Sequence, residues 1–336
     1  MKVEKFVAVG ENIHCTRIYK VGGQFVKAGQ DGQFAISCDM GGQTGYLKVP
    51  EAFTKTADWE AGRLKHCAVA IWQGNYGDKA AGTAYIQALA RQQEAAGASY
   101  LDINVDEFSM NVDENVRMMK WTVGVVQKAV KIPASIDSSN TAVLRAGLEA
   151  CDPARGRPMV NSVSLERAEA IGVAAAFKAV VIASAAGEKD LPSSVNERIA
   201  NFDSLMPRLQ AAGLKPGDIH ADPLVFPIST DGLNGQRFLE TVSAARRKYG
   251  PDIHIVAGLS NVSFGMPNRK LINQVFSWLA IEAGADGGIV DPMQINAGIL
   301  SRLDPQSQGF KLARALLMGE DEFGMEYIGA TRDGRI

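Results

Sequence analysis

The 336-residue chain is predicted to fold as an α/β protein, a (β/α)8 TIM barrel with a small β-rich subdomain inserted after its first strand. Three observations predict it. Short β-branched runs alternate with longer Ala-rich amphipathic stretches, the pattern of βα units around a parallel sheet. Eight such runs occur, and from the second onward they begin 21 to 39 residues apart, the repeat of a barrel. The rival doubly wound fold expects a GxGxxG turn after a strand, and the chain has none.

In chain order the strands are expected near Phe6–Val9, Tyr100–Val105, Ile132–Ile136, Pro158–Ser162, Ala179–Ala183, Asp218–Ala221, Ile253–Ala257 and Gly288–Val290. Helices are expected between them. Asp78–Ala96 is rich in Ala and Gln and is closed by Gly97, where a left-handed C-cap is wanted. Asn111–Val130 places Val112, Val116, Met119, Val123 and Val126 at helical spacing, a core-facing stripe. Ser164 is an N-cap candidate for a helix opening at Leu165-Glu166-Arg167. Gly213 and Gly284 end two more helices, the second spanning Leu271–Ala283.

One interval is too long for a plain loop: Cys15 to Gly77. Within it Gln24–Lys27, Gln33–Ser37 and Tyr46–Val49 alternate like antiparallel strands, with Gly22-Gly23, Asp31-Gly32 and Gly41-Gly42 as turns. Ala57–Trp72 follows as a helix, and Phe53, Trp59 and Trp72 are expected to bury against it, contact with a partner being the alternative. Residues 15–77 therefore read as an insertion on the loop face of a barrel spanning 1–318, a lid or docking surface. The polar, Gly-containing tail, 319–336, reads as an oligomer arm or a loosely held terminus.

Composition narrows the function. With 35 Lys and Arg against 37 Asp and Glu, the net charge of −2 argues against a nucleic-acid binder held by phosphate contacts. The apolar run Ile171–Ala186 is interrupted by Lys178 and is too short to span a membrane. The N-terminus does not read as a signal peptide, and four cysteines without CxxC spacing suit a reducing cytoplasm.

Chemistry in a barrel is built at the C-terminal ends of its strands. Those ends carry Glu11 and Asn12, Asp102 and Asn104, Asp137 and Asn140, Asn161 and Ser162, Asp222, Ser260 and Asn261, and Asp291. The set is almost all carboxylate and carboxamide, without a Cys or His pair placed for nucleophilic catalysis. Such groups suit a flat heterocycle rich in donors and acceptors, since a carboxylate takes two parallel N–H bonds from an aminopyrimidine edge. Asn140 and Asp291 serve equally well as helix caps, and Asp102 as a pin for the barrel rim. The pairs His14-Cys15 and His66-Cys67 fit no zinc module, and no metal is expected. His220 and His254 read as barrel-wall residues, and Arg246-Arg247-Lys248 as a solvated helix end.

The segments GENIH (10–14), GASYLDINV (97–105), SIDSSN (135–140), PMVNSVS (158–164), ADPL (221–224) and GLSNVSFGMPNR (258–269) follow one another in barrel order. Together they resemble the pterin-binding family, specifically the methyltetrahydrofolate:corrinoid-protein methyltransferases. The resemblance implies that Asp137, Asn161 and Asp222 hold the pterin edge and that Asn261 lies beside the nitrogen carrying the methyl group. It implies that Gly258 and Ser260 shape the same wall and that Arg269 faces the folate beyond the pterin; Asn104 and Glu11 join them as folate-binding candidates. It further implies tetrahydrofolate or 5-methyltetrahydrofolate as substrate, a cobalamin (corrinoid) carried by a partner protein as methyl acceptor or donor, and a homodimer. Two departures stand out: Phe264 occupies a position, three residues after Asn261, where one member of the family has Gln, and the insertion is long. They suggest a branch serving another corrinoid protein, in methyl-group catabolism such as demethylation. Dihydropteroate synthase is the sibling alternative, but it expects basic residues near the last strands, and Gly284–Ala297 contains no Lys, Arg or His. A non-catalytic folate-binding partner protein is the alternative of a different class.

Overall fold

The computed structural model describes residues 3–336. Its strands are β1 (Val7–His14), β2 (Ile18–Lys20), β3 (Val26–Ala28), β4 (Phe34–Asp39), β5 (Thr44–Lys48), β6 (Arg63–Lys65), β7 (Tyr100–Asn104), β8 (Ala134–Asp137), β9 (Met159–Val163), β10 (Val180–Ser184), β11 (Ile219–Asp222), β12 (His254–Ala257) and β13 (Gly287–Val290). Strands β1 and β7 to β13 close a barrel in the order β1-β13-β12-β11-β10-β9-β8-β7. All eight expected barrel strands are present. Strands such as β10 (VVIAS) are buried along their whole length, as parallel strands covered on both faces must be. The first strand runs on to His14, well past the expected Val9, and so carries Glu11, Asn12 and His14 on regular backbone.

The chain divides into two compact units. One holds the described residues up to Gly10, then Ala96–Ser99 and Met159–Ile336. Its strands pair in parallel register, Val181 with Ile219, His220 with His254, Val256 with Gly287 and Gly287 with Val7. Val9, Val160, Val181, Ile182, Ile255, Val256 and Val290 are completely buried. His220 and His254 stack at 4.6 Å on the barrel wall. The helix Val195–Ala211 opens with a capping box in which Ser194 accepts from the Glu197 backbone and Glu197 answers the Ser194 backbone. Ser194→Ala is expected to cost about 1 kcal/mol in chemical denaturation, with Ser194→Asp retaining most of the stability.

Three expectations need correction here. Ser164 does not cap a helix directly: its Oγ accepts from Arg167 N at 3.1 Å, closing a turn, and the helix begins at Glu169. Arg246 is not a solvated helix end. Its guanidinium pairs with Asp286 and donates to the carbonyls of Gly250, Ile253 and Gly284, a tie between helix and strand that charge pattern alone does not reveal. The tail contains a helix, Met325–Arg332, whose Tyr327 is fully buried and donates its hydroxyl to Asn268 O at 3.0 Å.

The other unit comprises Glu11–Ala95 and Tyr100–Pro158. Here β7 and β8 pair so that Asp102 lies beside Ser135 and Asn104 beside Asp137. The insertion forms a three-stranded antiparallel sheet, β3-β4-β5, and a two-stranded one, β2-β6. The expected helix Ala57–Trp72 is broken: Ala57–Glu60 forms one turn, Gly62 adopts φ +71°, β6 pairs with β2, and a new helix runs His66–Tyr76. Pairing with a strand some 45 residues earlier in sequence overrides the local helical period (Ile18 lies beside Lys65). Phe53, Trp59 and Trp72 are half-buried rather than buried against a single helix, with Phe34 edge-on to Trp59 and Phe53 edge-on to Trp72. Asn111 caps Val112–Gln127 by accepting from Asp113 N and Glu114 N. Among the described residues, no helix is long and apolar enough to cross a membrane.

Candidate active site

Strand alternation selects which side chains share a face: residues two apart point the same way. Asp102 and Asn104 on β7 are such a pair, and Asp137 ends β8 beside Asn104. Asn104 Nδ2 donates to Asp137 Oδ2 at 3.0 Å, while its Oδ1 accepts from Asp106 N. Both ends of the Asn104 amide are therefore engaged, and its role is to orient Asp137. Asp106 in turn accepts from Ser138 Oγ, Ser139 N and Ser139 Oγ, fixing the loop after β8. Below this layer the fully buried Asp102 holds His14 Nε2 at 2.8 Å. Burial opposes a charge on His14, yet the Asp102 hydrogen bond and charge hold its pKa above the ordinary histidine value. Burial and the neighbouring Asp102 charge push Asp137 up to about 7. The ligand-type atoms of His14, Asp102 and Asp137 lie within 4.8 Å of one another. Glu11 pairs with Arg17 at 2.5 Å, and Arg17 also donates to the Glu11 carbonyl.

The first-described unit contributes the remaining candidates. Asn161 is a half-buried residue of β9. Asp222 ends β11; its Oδ1 accepts from Leu224 N at 2.8 Å, and its other oxygen has no hydrogen-bond partner among the described residues. Burial pushes Asp222 up to about 6, against the pull of the Leu224 N–H and the Arg198 charge. Arg198 itself is completely buried, its guanidinium 5.3 Å from the Phe226 ring centre, and none of its three nitrogens has a hydrogen-bond partner among the described residues.

After β12 the chain turns into a short 3-10 helix, Leu259–Ser263, entered through Gly258. A Cβ on Gly258 would lie 2.9 Å from Asn261 Nδ2, so the glycine makes room for the amide. The Asn261 side chain makes no hydrogen bond among the described residues. Ser260 is buried, and its carbonyl accepts from Arg269 Nη2 at 2.9 Å. Arg269 Nε donates to Ser263 Oγ, and the guanidinium lies 4.4 Å over the Phe264 ring, whose side chain is half exposed. Arg269 thus braces the turn that presents Asn261.

Asn140 caps Thr141–Glu149 through Ala142 N and Val143 N, and Asp291 accepts from Met293 N and Gln294 Nε2. His66 is held by Tyr85 at 3.0 Å and stacked on Tyr19, and Cys15 and Cys67 are buried with thiols pushed up by burial. Two site-associated residues were missed from sequence. For His14 the usable signal is its two-residue spacing from Asn12 on an extended strand, which the adjacent Cys15 obscures. Arg198 carried no signal, because a single arginine in a helical first turn is ordinarily solvated.

A closed barrel of eight parallel strands thus carries carboxylates and amides at its strand ends. The chain belongs to the pterin-binding enzymes: the family model described as "Pterin binding enzyme" matches residues 78–291. It is similar to a methylcorrinoid:tetrahydrofolate methyltransferase of Eubacterium limosum, 30% identical over 258 residues, which cover 75% of this chain and 89% of that one. A methionine synthase of Mycobacterium tuberculosis is 31% identical over 221 residues, covering 62% of this chain and 18% of that much longer protein. In three dimensions a dihydropteroate synthetase crystal structure with product superposes with a TM-score of 0.50 at 18% identity, covering 76% of this chain and 90% of the other, a likeness of fold.

Proposed function

We propose that this protein moves a methyl group between N5 of tetrahydrofolate and the cobalt of a corrinoid held by a partner protein, in methyl-group catabolism such as demethylation. The observation that carries the reading is Asn261, presented on a braced turn beside Gly258 with a carboxamide that makes no hydrogen bond among the described residues. The similarity to the methylcorrinoid:tetrahydrofolate methyltransferase supports it. A dihydropteroate synthase-like reading is less well supported, because residues 284–297 contain no cation for a pyrophosphate leaving group.

The residues fit a reduced pterin. Asp222 has a carboxylate oxygen without a hydrogen bond among the described residues, and Asp137 a second oxygen beyond the one Asn104 holds. Ionised, these acids accept ring N–H groups, and Asn161 completes the edge. Methylation of the folate nitrogen displaces its proton, and demethylation must return one. Asn261 does not supply that proton; its carbonyl orients the protonated nitrogen, which removes the developing negative charge on the leaving amine. The corrinoid is the second substrate, and catalysis rests on in-line positioning.

Mixing the protein with cob(I)alamin and 5-methyltetrahydrofolate is expected to produce the methylcobalamin spectrum. Folate binding without that spectrum would indicate a binding partner instead of an enzyme. Because carboxylates must be ionised to accept two N–H bonds, folate affinity is expected to fall as pH drops through about 7 and then about 6, the values set for Asp137 and Asp222. A flat affinity between pH 5.5 and 8 would contradict these contacts.

A further inference from the structure

We propose that His14 is a positioning residue for folate recognition: by pairing with Asp102 it neutralises the carboxylate beside Asp137, leaving Asp137 able to carry the charge that accepts the folate N–H. The inference rests on the folate reading of the site and assigns a role to two residues that the reading does not use.

Geometry carries it. Asp102 has no exposed surface, so its charge is not screened by water, and its Oδ2 lies 2.8 Å from His14 Nε2. The acceptor atoms of Asp102 and Asp137 and the His14 nitrogen fall within 4.8 Å of one another. Like charges at that range, away from solvent, suppress ionisation of one another, and a cation at the same range restores it. Among the described residues, the groups acting on Asp137 come from three segments. From β1 comes His14; from β7 come Asp102 and the neutral Asn104, which donates at 3.0 Å; from the following loop comes Asp106. Arg17, after β1, acts on His14 but is itself held by Glu11 at 2.5 Å. Within this cluster, His14 is the cation that faces Asp137. Burial first, and then the Asp102 charge, make Asp137 harder to ionise, while His14 acts in the opposite direction.

Without His14, two acids would share the space and Asp137 would retain its proton. It would then present an O–H toward folate N–H groups, a donor against donors. Binding would first have to expel that proton.

The test is the proton count of binding. Isothermal titration of 5-methyltetrahydrofolate into the parent and His14→Gln, each in phosphate and in Tris, gives the protons released per folate bound. His14→Gln is expected to release more protons near neutral pH. Its affinity limb should move up by about one pH unit or more, weakening binding about tenfold at pH 7 and converging with the parent near pH 9. Asp102→Asn is expected to move the limb the opposite way, an effect that misfolding does not mimic. A His14→Gln limb unchanged from the parent, or affinity lowered equally at every pH, overturns the proposal. The carboxyl carbon of Asp137, followed by 13C NMR without folate, reports the same coupling in the apo protein. If the parent binds no reduced folate at any pH, the functional reading fails. The NMR titration then still decides whether His14 controls Asp137.

Discussion

Asp222→Ala is expected to weaken binding of 5-methyltetrahydrofolate by roughly 30- to 1,000-fold, corresponding to about 2–4 kcal/mol lost with two charge-assisted hydrogen bonds. Among the described residues this carboxylate accepts one hydrogen bond, from Leu224 N to Oδ1 at 2.8 Å, which leaves most of its accepting capacity available. The acid is buried enough for its ionisation to be pushed up to about 6, a penalty that a bound aminopyrimidine offsets by donating to it. Asp222→Asn separates charge from shape. Its Oδ1 still receives the Leu224 N–H, but its amide turns an N–H toward a donor edge, so it should bind nearly as poorly as the alanine variant. Calorimetric titration at pH 8 checks both. An affinity within threefold of the parent in either variant would remove Asp222 from the site.

Asn261→Ala is expected to lower the rate of methyl transfer by about 100- to 1,000-fold, with folate affinity changed less than tenfold. The amide does no structural work that the alanine would forfeit, since it makes no hydrogen bond among the described residues. The turn beneath it is held independently by Arg269 through Ser263 Oγ and the Ser260 carbonyl. The contrast with Asp222 is therefore diagnostic: one residue acts on the ground state, the other on the charge that develops at nitrogen. Stopped-flow appearance of methylcobalamin at saturating folate reads the rate directly. Equal rates for Asn261→Ala and the parent would remove its catalytic role.

The barrel was legible because its strands and helices are specified by short-range patterns. Runs such as VVIAS at 180–184 must be buried on both faces, and Gly97, Gly213 and Gly284 end their helices with φ of +94°, +87° and +113°. The break after Glu60 was not legible, since β6 exists only through its pairing with β2. The same distinction governs the candidate residues. That acids and amides crowd the strand ends could be read from residue order, because parallel strands present their C-terminal ends to one rim.

By itself, the amino-acid order determined the number and direction of the barrel strands, the presence of a β-rich insertion and the carboxylate and amide character of the strand ends. Tertiary structure alone decided which of those side chains are already committed. Asn140 is committed to a helix N-terminus, Asn104 to Asp137, and Arg269 to the turn below Asn261. It also decided that His14 meets Asp102, 88 residues away in sequence, and that the nitrogens of Arg198 find no acceptor among the described residues. Periodicity reports only which face of an element is apolar. A hydrogen bond or a shifted ionisation depends on distances of a few ångströms between residues far apart in the chain, and those distances exist only once the barrel has closed.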